Sequence, residues 1–283
     1  MQFTTLISTE QLAAQLDNPN LVIFDCRFSL ADSQAGHSAY RQGHIPRARY
    51  ADLNQDLSSA PKSYTGRHPL PDFKTLAAKL GGWGVNNRSQ VVVYDDASGA
   101  FAGRMWWLLR CMGHESVAVL DGGFPCWQKQ DKPVTTVLPQ PIPATFRAYL
   151  DSKQWLSAYE VENALARQAI TLIDARSPER FAGLQEPIDP VAGHVPKALN
   201  RPFQLNLNQH GLFLDPSELK KQFTAVGLAD NPERVVHMCG SGVTGCHNLL
   251  AMEVAGLSGS RLYAGSWSDW ISNRNRNVAG VKC

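Results

Sequence analysis

Short apolar runs recur along the chain and predict buried strands. Four of them dominate the pattern, at residues 21–25 (LVIFD), 90–95 (QVVVYD), 170–174 (ITLID) and 234–239 (RVVHMC). Runs this short, rich in Val, Ile and Leu, are typical of strands in a parallel sheet that is covered on both faces. We therefore expect a parallel β-sheet at the centre of each half of the chain.

Helical periodicity lies between these strands. Residues 72–81 and 216–227 open with acidic or capping residues and end at or beside glycine, which is the start and stop chemistry of a helix. Residues 102–112 and 245–254 follow the central strands and are predicted to be helices as well. The expected fold class is α/β, with two tandem domains, each a small, mainly parallel sheet flanked by helices. Ligands should bind at the carboxyl ends of the strands.

The two halves repeat one another in order and in spacing. An Asp-x-Arg triplet, a Gly-His-[Ile/Val]-Pro turn, a Val-rich strand and a Trp-containing segment follow one another in both halves. The aspartate and the histidine of the first two features are 19 residues apart in one half and 20 in the other. Chance does not preserve both order and spacing, so two copies of one domain are predicted.

Several polar residues recur in both copies, including the copy that lacks a nucleophile. A structural role is therefore favoured for them, in buried ion pairs and in the anchoring of turns. These residues are Asp25, Arg27, His44, Asp174, Arg176 and His194.

The length of 283 residues is about twice the commonest domain size. Residues 128–143 are rich in proline and show no clear periodicity, which is typical of a stiff, extended linker. We predict one domain at residues 1–144 and a second at residues 145–283.

Composition and charge exclude several classes of protein. With 43% hydrophobic and 18% charged residues, the chain has the composition of an ordinary globular protein. The net charge is +2 and the basic residues are scattered, so we expect neither a nucleic-acid nor a membrane partner. No signal-peptide pattern is present, which favours a cytoplasmic location. The six cysteines form no Cys-x-x-Cys pair, so we expect free thiols, with Cys283 exposed, and no metal site.

Cys239 is the candidate nucleophile. At equivalent strand ends, the first half has Asp95 and the second has Cys239, followed by Gly-Ser-Gly-Val-Thr. A strand that leads into a glycine-rich turn and then a helix points backbone N–H groups into one concavity. A cysteine at its mouth should have a lowered pKa and act as a thiolate. The alternative is a buried strand-end thiol beside a simple glycine turn. A cysteine phosphatase is disfavoured because Gly245 stands where that chemistry needs an arginine.

The repeat, with Cys-x-x-Gly-Val-Thr in its second copy, resembles the two-domain rhodanese and 3-mercaptopyruvate sulfurtransferase family over essentially residues 5–275. The resemblance implies two rhodanese-like domains, a catalytically inactive first one with Asp95 in place of the cysteine, and a catalytic second one. It further implies an enzyme that moves sulfur from a small-molecule donor to a thiol or cyanide acceptor through a persulfide on Cys239. A protein thiol, such as that of a thioredoxin-like reductant, is one expected acceptor. No cofactor is expected, because the cysteine itself carries the sulfur.

The loop after Cys239 indicates which sulfur donor the protein prefers. It is similar to that of the mercaptopyruvate branch, whereas members that prefer thiosulfate tend to carry a basic pair directly after the cysteine. A neutral loop suits the monoanion 3-mercaptopyruvate better than the compact dianion thiosulfate. Thiosulfate as donor, and a noncatalytic module that passes a persulfide to a protein partner, remain alternatives.

The resemblance also implies roles for individual residues. Ser241 matches a serine that acts in proton transfer with a histidine, and His68 resembles that histidine, with Asp56 as a candidate to orient it. Backbone N–H groups of the loop would hold the anionic sulfur. The loop residues concerned are Gly240, Gly242, Val243 and Thr244.

Arg180 matches an arginine that binds the substrate carboxylate, and its planar guanidinium suits this ligand. The family carries a second arginine in the loop that follows, but residues 183–193 contain none. Arg67 and Arg104 are the candidates to supply the missing charge.

Overall fold

The computed structural model describes residues 2–280, so Cys283 and the end of the predicted second domain lie outside the described residues. The described chain divides into two compact units. The first comprises residues 2–59, 71–151 and 209–212, and the second comprises residues 60–70, 152–208 and 213–280. The second unit therefore includes a segment from the first half of the sequence, residues 60–70, that contains two of the predicted site residues.

The first unit contains a five-stranded parallel sheet with the order β1-β5-β4-β2-β3. Its strands are β1 (Leu6–Ile7), β2 (Leu21–Asp25), β3 (Arg49–Tyr50), β4 (Gln90–Tyr94) and β5 (Val117–Leu120). Its helices are α1 (Thr9–Ala13), α2 (Ala35–Gln42), α3 (Phe73–Gly82), α4 (Ala102–Cys111) and α5 (Gly123–Lys129). The apolar faces of the sheet and helices form one buried core, which includes Ile23, Val92 and Trp127.

The second unit repeats this topology with the strand order β6-β10-β9-β7-β8, again all parallel. Its strands are β6 (Trp155–Leu156), β7 (Thr171–Asp174), β8 (Leu199–Asn200), β9 (Val235–Met238) and β10 (Arg261–Tyr263). Its helices are α6 (Ala158–Ala166), α7 (Pro178–Ala182), α8 (Pro216–Ala225), α9 (Gly245–Val254) and α10 (Ser266–Trp270), and three short 3₁₀ helices are Ser152–Gln154, Phe203–Asn206 and Pro232–Arg234. The predicted α/β fold class, with two tandem copies of a small parallel sheet flanked by helices, is confirmed.

The predicted elements agree with the structure to within two residues. Helix α3 begins one residue later than predicted, because the Asp72 side chain accepts a hydrogen bond from the Thr75 N–H and so acts as the N-cap. Strands β4 and β9 end one residue earlier than predicted. Asp95 and Cys239 are consequently the first residues after the two central strands, at the carboxyl edge of each sheet.

The repeated Asp-x-Arg triplets form buried ion pairs, as predicted. Arg27 Nη2 lies 2.6 Å from Asp25 Oδ2 and also donates to the carbonyl of Gly43, at 2.7 Å. In the second unit, the Arg176 pair with Asp174 measures 2.7 Å, and Arg176 donates to the carbonyl of Gly193. The two pairs therefore connect the ends of strands β2 and β7 to the Gly-His turns of their own units.

Helix α5 runs to Lys129 and so includes the first two residues of the predicted linker, whereas residues 130–151 contain no helix or strand. They lie against the first unit, where Thr135 exchanges backbone hydrogen bonds with His44 and Ala144 donates to the Gly81 carbonyl. Within the described chain, the cysteines form no disulfide bond. Among residues 2–280, none of the helices has the length and apolar composition that crossing a bilayer requires.

Candidate active site

Cys239 lies at the carboxyl end of β9, and only 2% of its surface is exposed. The loop that follows leads directly into α9. Gly242 has a φ of +77°, and a Cβ at this position would lie 2.1 Å from the carbonyl oxygen of Ala264. Only glycine fits such a position, since both the backbone conformation and the space exclude a side chain. The glycine therefore allows the loop to turn back around Cys239.

The loop and α9 stabilise the thiolate form of Cys239. Burial alone raises the pKa of this thiol, because it disfavours the charged form. Hydrogen bonds from the Thr244 hydroxyl and from the backbone N–H groups of Ser241 and Gly245 act in the opposite direction and outweigh it. The net result is a pKa below the ordinary value of a thiol. A buried but hydrogen-bonded thiolate is a nucleophile protected from water.

In the equivalent loop of the first unit, the backbone N–H groups bind the side chain of Asp95. Asp95 Oδ1 accepts hydrogen bonds from the N–H groups of Ala97 and Gly99, and Oδ2 accepts them from Phe101 and Ala102, all at 2.8–2.9 Å. Two of these donors stand two and six residues after Asp95, as Ser241 and Gly245 stand after Cys239. Both loops are therefore built to hold an anion, a carboxylate in one unit and a thiolate in the other.

His68 and Ser241 lie side by side in the second unit. His68 Nδ1 is 2.7 Å from Ser241 Oγ, and both residues are 5% exposed. The segment that carries His68 is fixed against α10, because the Arg67 N–H donates to Ser268 Oγ at 3.1 Å. The same helix donates the N–H groups of Trp267 and Ser268 to the carbonyls of Cys239 and Gly240. Helix α10 thus holds both the nucleophile loop and the histidine segment.

Two guanidinium groups lie over Gly240, next to the nucleophile. A Cβ on Gly240 would be 2.9 Å from Arg67 Nη2 and 3.6 Å from Arg180 Nη1. Burial lowers the pKa of Arg67, and the negative charge of Cys239 acts against this effect. Because Gly240 has no side chain, both arginines can lie close to the Cys239 loop. Arg67 therefore lies near Arg180. The loop of residues 183–193 lacks the second arginine of the family, and Arg67 is one of the two candidates to replace it.

Two carboxylates in that loop neutralise the arginines. Glu186 pairs with Arg180 at 2.7 Å and with Arg176 at 3.2 Å. Asp189 pairs with Arg180 at 3.2 Å and with Arg67 Nη1. Neither carboxylate was predicted from the sequence. The available signal was that the loop carries two acids, each followed by proline, where the family carries an arginine.

The remaining candidates occupy other positions. Val243 is buried in the turn into α9, where its carbonyl accepts the N–H of Cys246. Asp56 belongs to the first unit, where its carboxylate binds Lys79 Nζ and the Asp52 N–H. Arg104 also belongs to the first unit, is fully buried, and has its guanidinium carbon 5.6 Å from the centre of the Trp107 ring. Asp56 and Arg104 therefore belong to a different unit from Cys239, Ser241 and His68.

Comparisons with known proteins agree with this architecture. The rhodanese-like domain family matches residues 8–130 and again residues 157–273. A protein from Pseudomonas aeruginosa described as a probable 3-mercaptopyruvate sulfurtransferase is 45% identical to this chain, with 99% of each sequence covered. A protein from Mycobacterium tuberculosis described as putative thiosulfate sulfurtransferase SseB is 38% identical, with 96% of each covered. The crystal structure of SseA from Escherichia coli, described among 3-mercaptopyruvate sulfotransferases, has a TM-score of 0.80 and 30% identity, covering 94% of this chain and all of that one. The chain therefore belongs to the rhodanese family and carries two copies of its domain.

Proposed function

We propose that this protein is a sulfurtransferase that takes sulfur from 3-mercaptopyruvate and passes it to a thiol or cyanide acceptor. The observation that carries the proposal is the hydrogen-bonded Cys239 thiol, whose pKa is lowered, next to the guanidinium groups of Arg67 and Arg180. A nucleophile for sulfur and a site for a carboxylate then lie on either side of Gly240. The relative from Pseudomonas aeruginosa, matched over its whole length, supports the same activity.

In the first half of the reaction, the Cys239 thiolate attacks the sulfur of the donor. The carbon–sulfur bond breaks, and its electron pair remains on carbon as the enolate of pyruvate. The Ser241 hydroxyl, hydrogen-bonded to His68, is placed to give the enolate a proton, and His68 restores that proton. The products are pyruvate and a persulfide, Cys239–S–SH. The arginines hold the donor carboxylate throughout.

In the second half, an acceptor thiolate or cyanide attacks the outer sulfur of the persulfide, and the Cys239 thiolate leaves. The hydrogen bonds that lower the pKa of Cys239 also make it a good leaving group, because thiols of low pKa leave faster. Thus one set of donors, Thr244 and the loop N–H groups, serves both halves. Small thiols and the thiol of a thioredoxin-like protein are the acceptors that we propose, and the cytoplasm, which supplies such thiols, is the compartment.

We further propose that, of the two predicted domains, only the second, at residues 145–283, carries a nucleophile. Asp95 offers no thiol at the equivalent position, and its carboxylate already accepts four backbone N–H groups of its loop. This proposal requires all sulfur transfer to depend on Cys239 and none on the first-unit loop.

Thiosulfate is the second candidate donor. The presence of two guanidinium groups near the nucleophile favours it, as does the relative described as a putative thiosulfate sulfurtransferase. Two carboxylates balance those two charges, however, and a neutralised site suits a monoanion better than a dianion. 3-Mercaptopyruvate is therefore the donor that we favour.

The test is steady-state formation of thiocyanate from cyanide, with 3-mercaptopyruvate and thiosulfate compared by kcat/KM. We expect mercaptopyruvate to be preferred by at least about tenfold, which is ~1.4 kcal/mol of transition-state discrimination. The variant Cys239→Ala should be inactive with both donors, while Cys126→Ala, which removes a free thiol of the first unit, should keep wild-type activity. A preference for thiosulfate would overturn the donor, and activity in Cys239→Ala would overturn the mechanism.

A further inference from the structure

Asp189 joins the two arginines of the candidate site. Its carboxylate accepts hydrogen bonds from Arg67 Nη1 and from Arg180 Nη2, and its side chain is 2% exposed. Its own backbone N–H donates to the Glu186 carboxylate, at 3.1 Å, which adds a contact within the loop. Asp189 therefore contacts one edge of each guanidinium.

The opposite edges of the two guanidiniums remain available. Arg67 Nη2 and Arg180 Nη1 have no hydrogen bond to any residue in the range 2–280. Both atoms lie beside Gly240, within 3.6 Å of the point that a Cβ would occupy. Asp189 thus holds two cationic groups side by side with one donor of each turned toward the Cys239 loop. Two such donors match the two oxygens of a single carboxylate.

Asp189 also sets the charge of the site. Three guanidiniums, those of Arg67, Arg176 and Arg180, are balanced by the carboxylates of Asp174, Glu186 and Asp189. Glu186 and Asp174 each bind Arg176, and Glu186 also accepts two backbone N–H groups of its loop. Asp189 is the member whose side chain binds only the two arginines over Gly240. Removing its charge would make the surroundings of the bound donor more positive by one unit.

We propose that Asp189 is a specificity-determining residue, which pairs Arg67 with Arg180 for a monoanionic carboxylate and, by neutralising them, disfavours a dianionic sulfur donor. This inference rests on the proposed sulfurtransferase function. An excess positive charge attracts a dianion about twice as strongly as a monoanion at the same distance, so its main effect is on the ratio between donors.

The test compares Asp189→Asn, Asp189→Glu and the wild type. Asp189→Asn keeps the shape and removes the charge, and should raise the ratio of kcat/KM for thiosulfate to that for mercaptopyruvate by about tenfold or more. Asp189→Glu keeps the charge and displaces the carboxylate, and should leave this ratio within about twofold of wild type while it raises KM for both donors. Asp215→Asn, at an exposed position of the same unit, controls for the change in net charge and should alter neither. An unchanged ratio in Asp189→Asn would overturn the proposal, as would an equal rise in Asp215→Asn.

Binding to the inactive enzyme separates this inference from the proposed function. In a Cys239→Ala background, which cannot turn either donor over, calorimetry would give Kd for mercaptopyruvate and thiosulfate with and without Asp189→Asn. We expect the substitution to tighten thiosulfate about tenfold more than mercaptopyruvate. That result supports the role of Asp189 even if the wild type proves inactive with both donors. Equal effects on both anions would overturn it even in an active enzyme.

Discussion

His68 Nδ1 and Ser241 Oγ are 2.7 Å apart although 173 residues separate them in the sequence. Both side chains are buried, so the hydrogen bond is shielded from competing water. The pair lies at the loop that carries Cys239, two residues from the nucleophile. This proximity links a histidine of the first half of the sequence to the thiol of the second.

If the pair moves one proton as a unit, its two members should not contribute independently. We expect Ser241→Ala and His68→Gln each to lower kcat for mercaptopyruvate by about 10²-fold, which is within the usual range for general acid catalysis. The kcat of the double variant should be little lower than that of either single variant, because each substitution alone already interrupts the proton transfer. Steady-state kinetics of the four proteins gives the coupling, with Ser258→Ala, at an exposed serine, as control. Fully additive losses would contradict a shared relay.

The hydroxyl of Thr244 should control the pH at which the enzyme works. It donates a hydrogen bond that lowers the pKa of Cys239. Thr244→Val has nearly the same shape but lacks the donor, so the pKa should rise and the thiolate should be lost at a higher pH as the solution is acidified. A hydrogen bond to a charged group is worth about 1.5 kcal/mol, so we expect the midpoint of the pH dependence of Cys239 alkylation by iodoacetamide to rise by about one pH unit. The measurement is the alkylation rate as a function of pH.

Two results would distinguish a raised pKa of Cys239 from a general disturbance of the structure. The rate of Thr244→Val should recover toward the wild-type plateau at high pH, where both thiols are ionised. Far-UV circular dichroism should be unchanged. A rate that stays low at every pH would instead indicate a displaced loop.

The sequence predicted the elements that follow from local patterns. The strand that precedes Cys239, the glycine turn and helix α9 can be predicted because apolar runs, glycine and helix signals lie within about twenty residues of one another. The internal repeat adds the topology, since the same elements in the same order build the same sheet. The nucleophile follows from the difference between Asp95 and Cys239 at equivalent positions.

What the sequence did not predict depends on contacts between distant segments. Residues 60–70 pack into the second unit, and no local pattern indicates which sheet a loop without periodicity will join. The pairing of Asp189 with Arg67 spans 122 residues and two irregular segments. For the same reason Asp56, assigned near His68 by resemblance, has partners in the structure that the sequence did not suggest.

Gly242 should be far less tolerant of substitution than a glycine with the same backbone conformation elsewhere. A Cβ at residue 242 would meet the Ala264 carbonyl oxygen at 2.1 Å, whereas a Cβ at Gly227, with a φ of +72°, would meet nothing within 4 Å. Gly227→Ala therefore carries only the cost of the left-handed conformation, about 1 kcal/mol in free energy of unfolding. Gly242→Ala adds a clash with the backbone, and we expect about 3 kcal/mol. Urea unfolding of the two variants checks the difference, and equal costs would contradict the close approach.

The last prediction concerns a histidine that the proposed reaction does not use. His237 lies on β9, is fully buried, and has its Nε2 3.1 Å from Met252 Sδ. Burial, with a smaller contribution from the charge of Arg201, lowers its pKa to about 3. In the unfolded chain the same imidazole has a pKa near 6.5. As the pH falls below about 6.5, the unfolded chain takes up a proton that the folded chain does not, so acid weakens the fold.

Proton uptake by His237 on unfolding determines how steeply the free energy of unfolding depends on pH. The free energy of unfolding should fall by about 1.4 kcal/mol for each pH unit between roughly 6 and 4, from His237 alone. His237→Leu removes the titrating group, so the difference between this variant and the wild type should grow in favour of the variant as the pH falls through that range. His37→Leu removes an exposed histidine and should retain the wild-type dependence. Urea denaturation at pH 7, 6 and 5 measures all three proteins. A constant difference between wild type and His237→Leu would show that His237 is protonated in the folded chain as readily as in the unfolded one, contrary to its burial on strand β9.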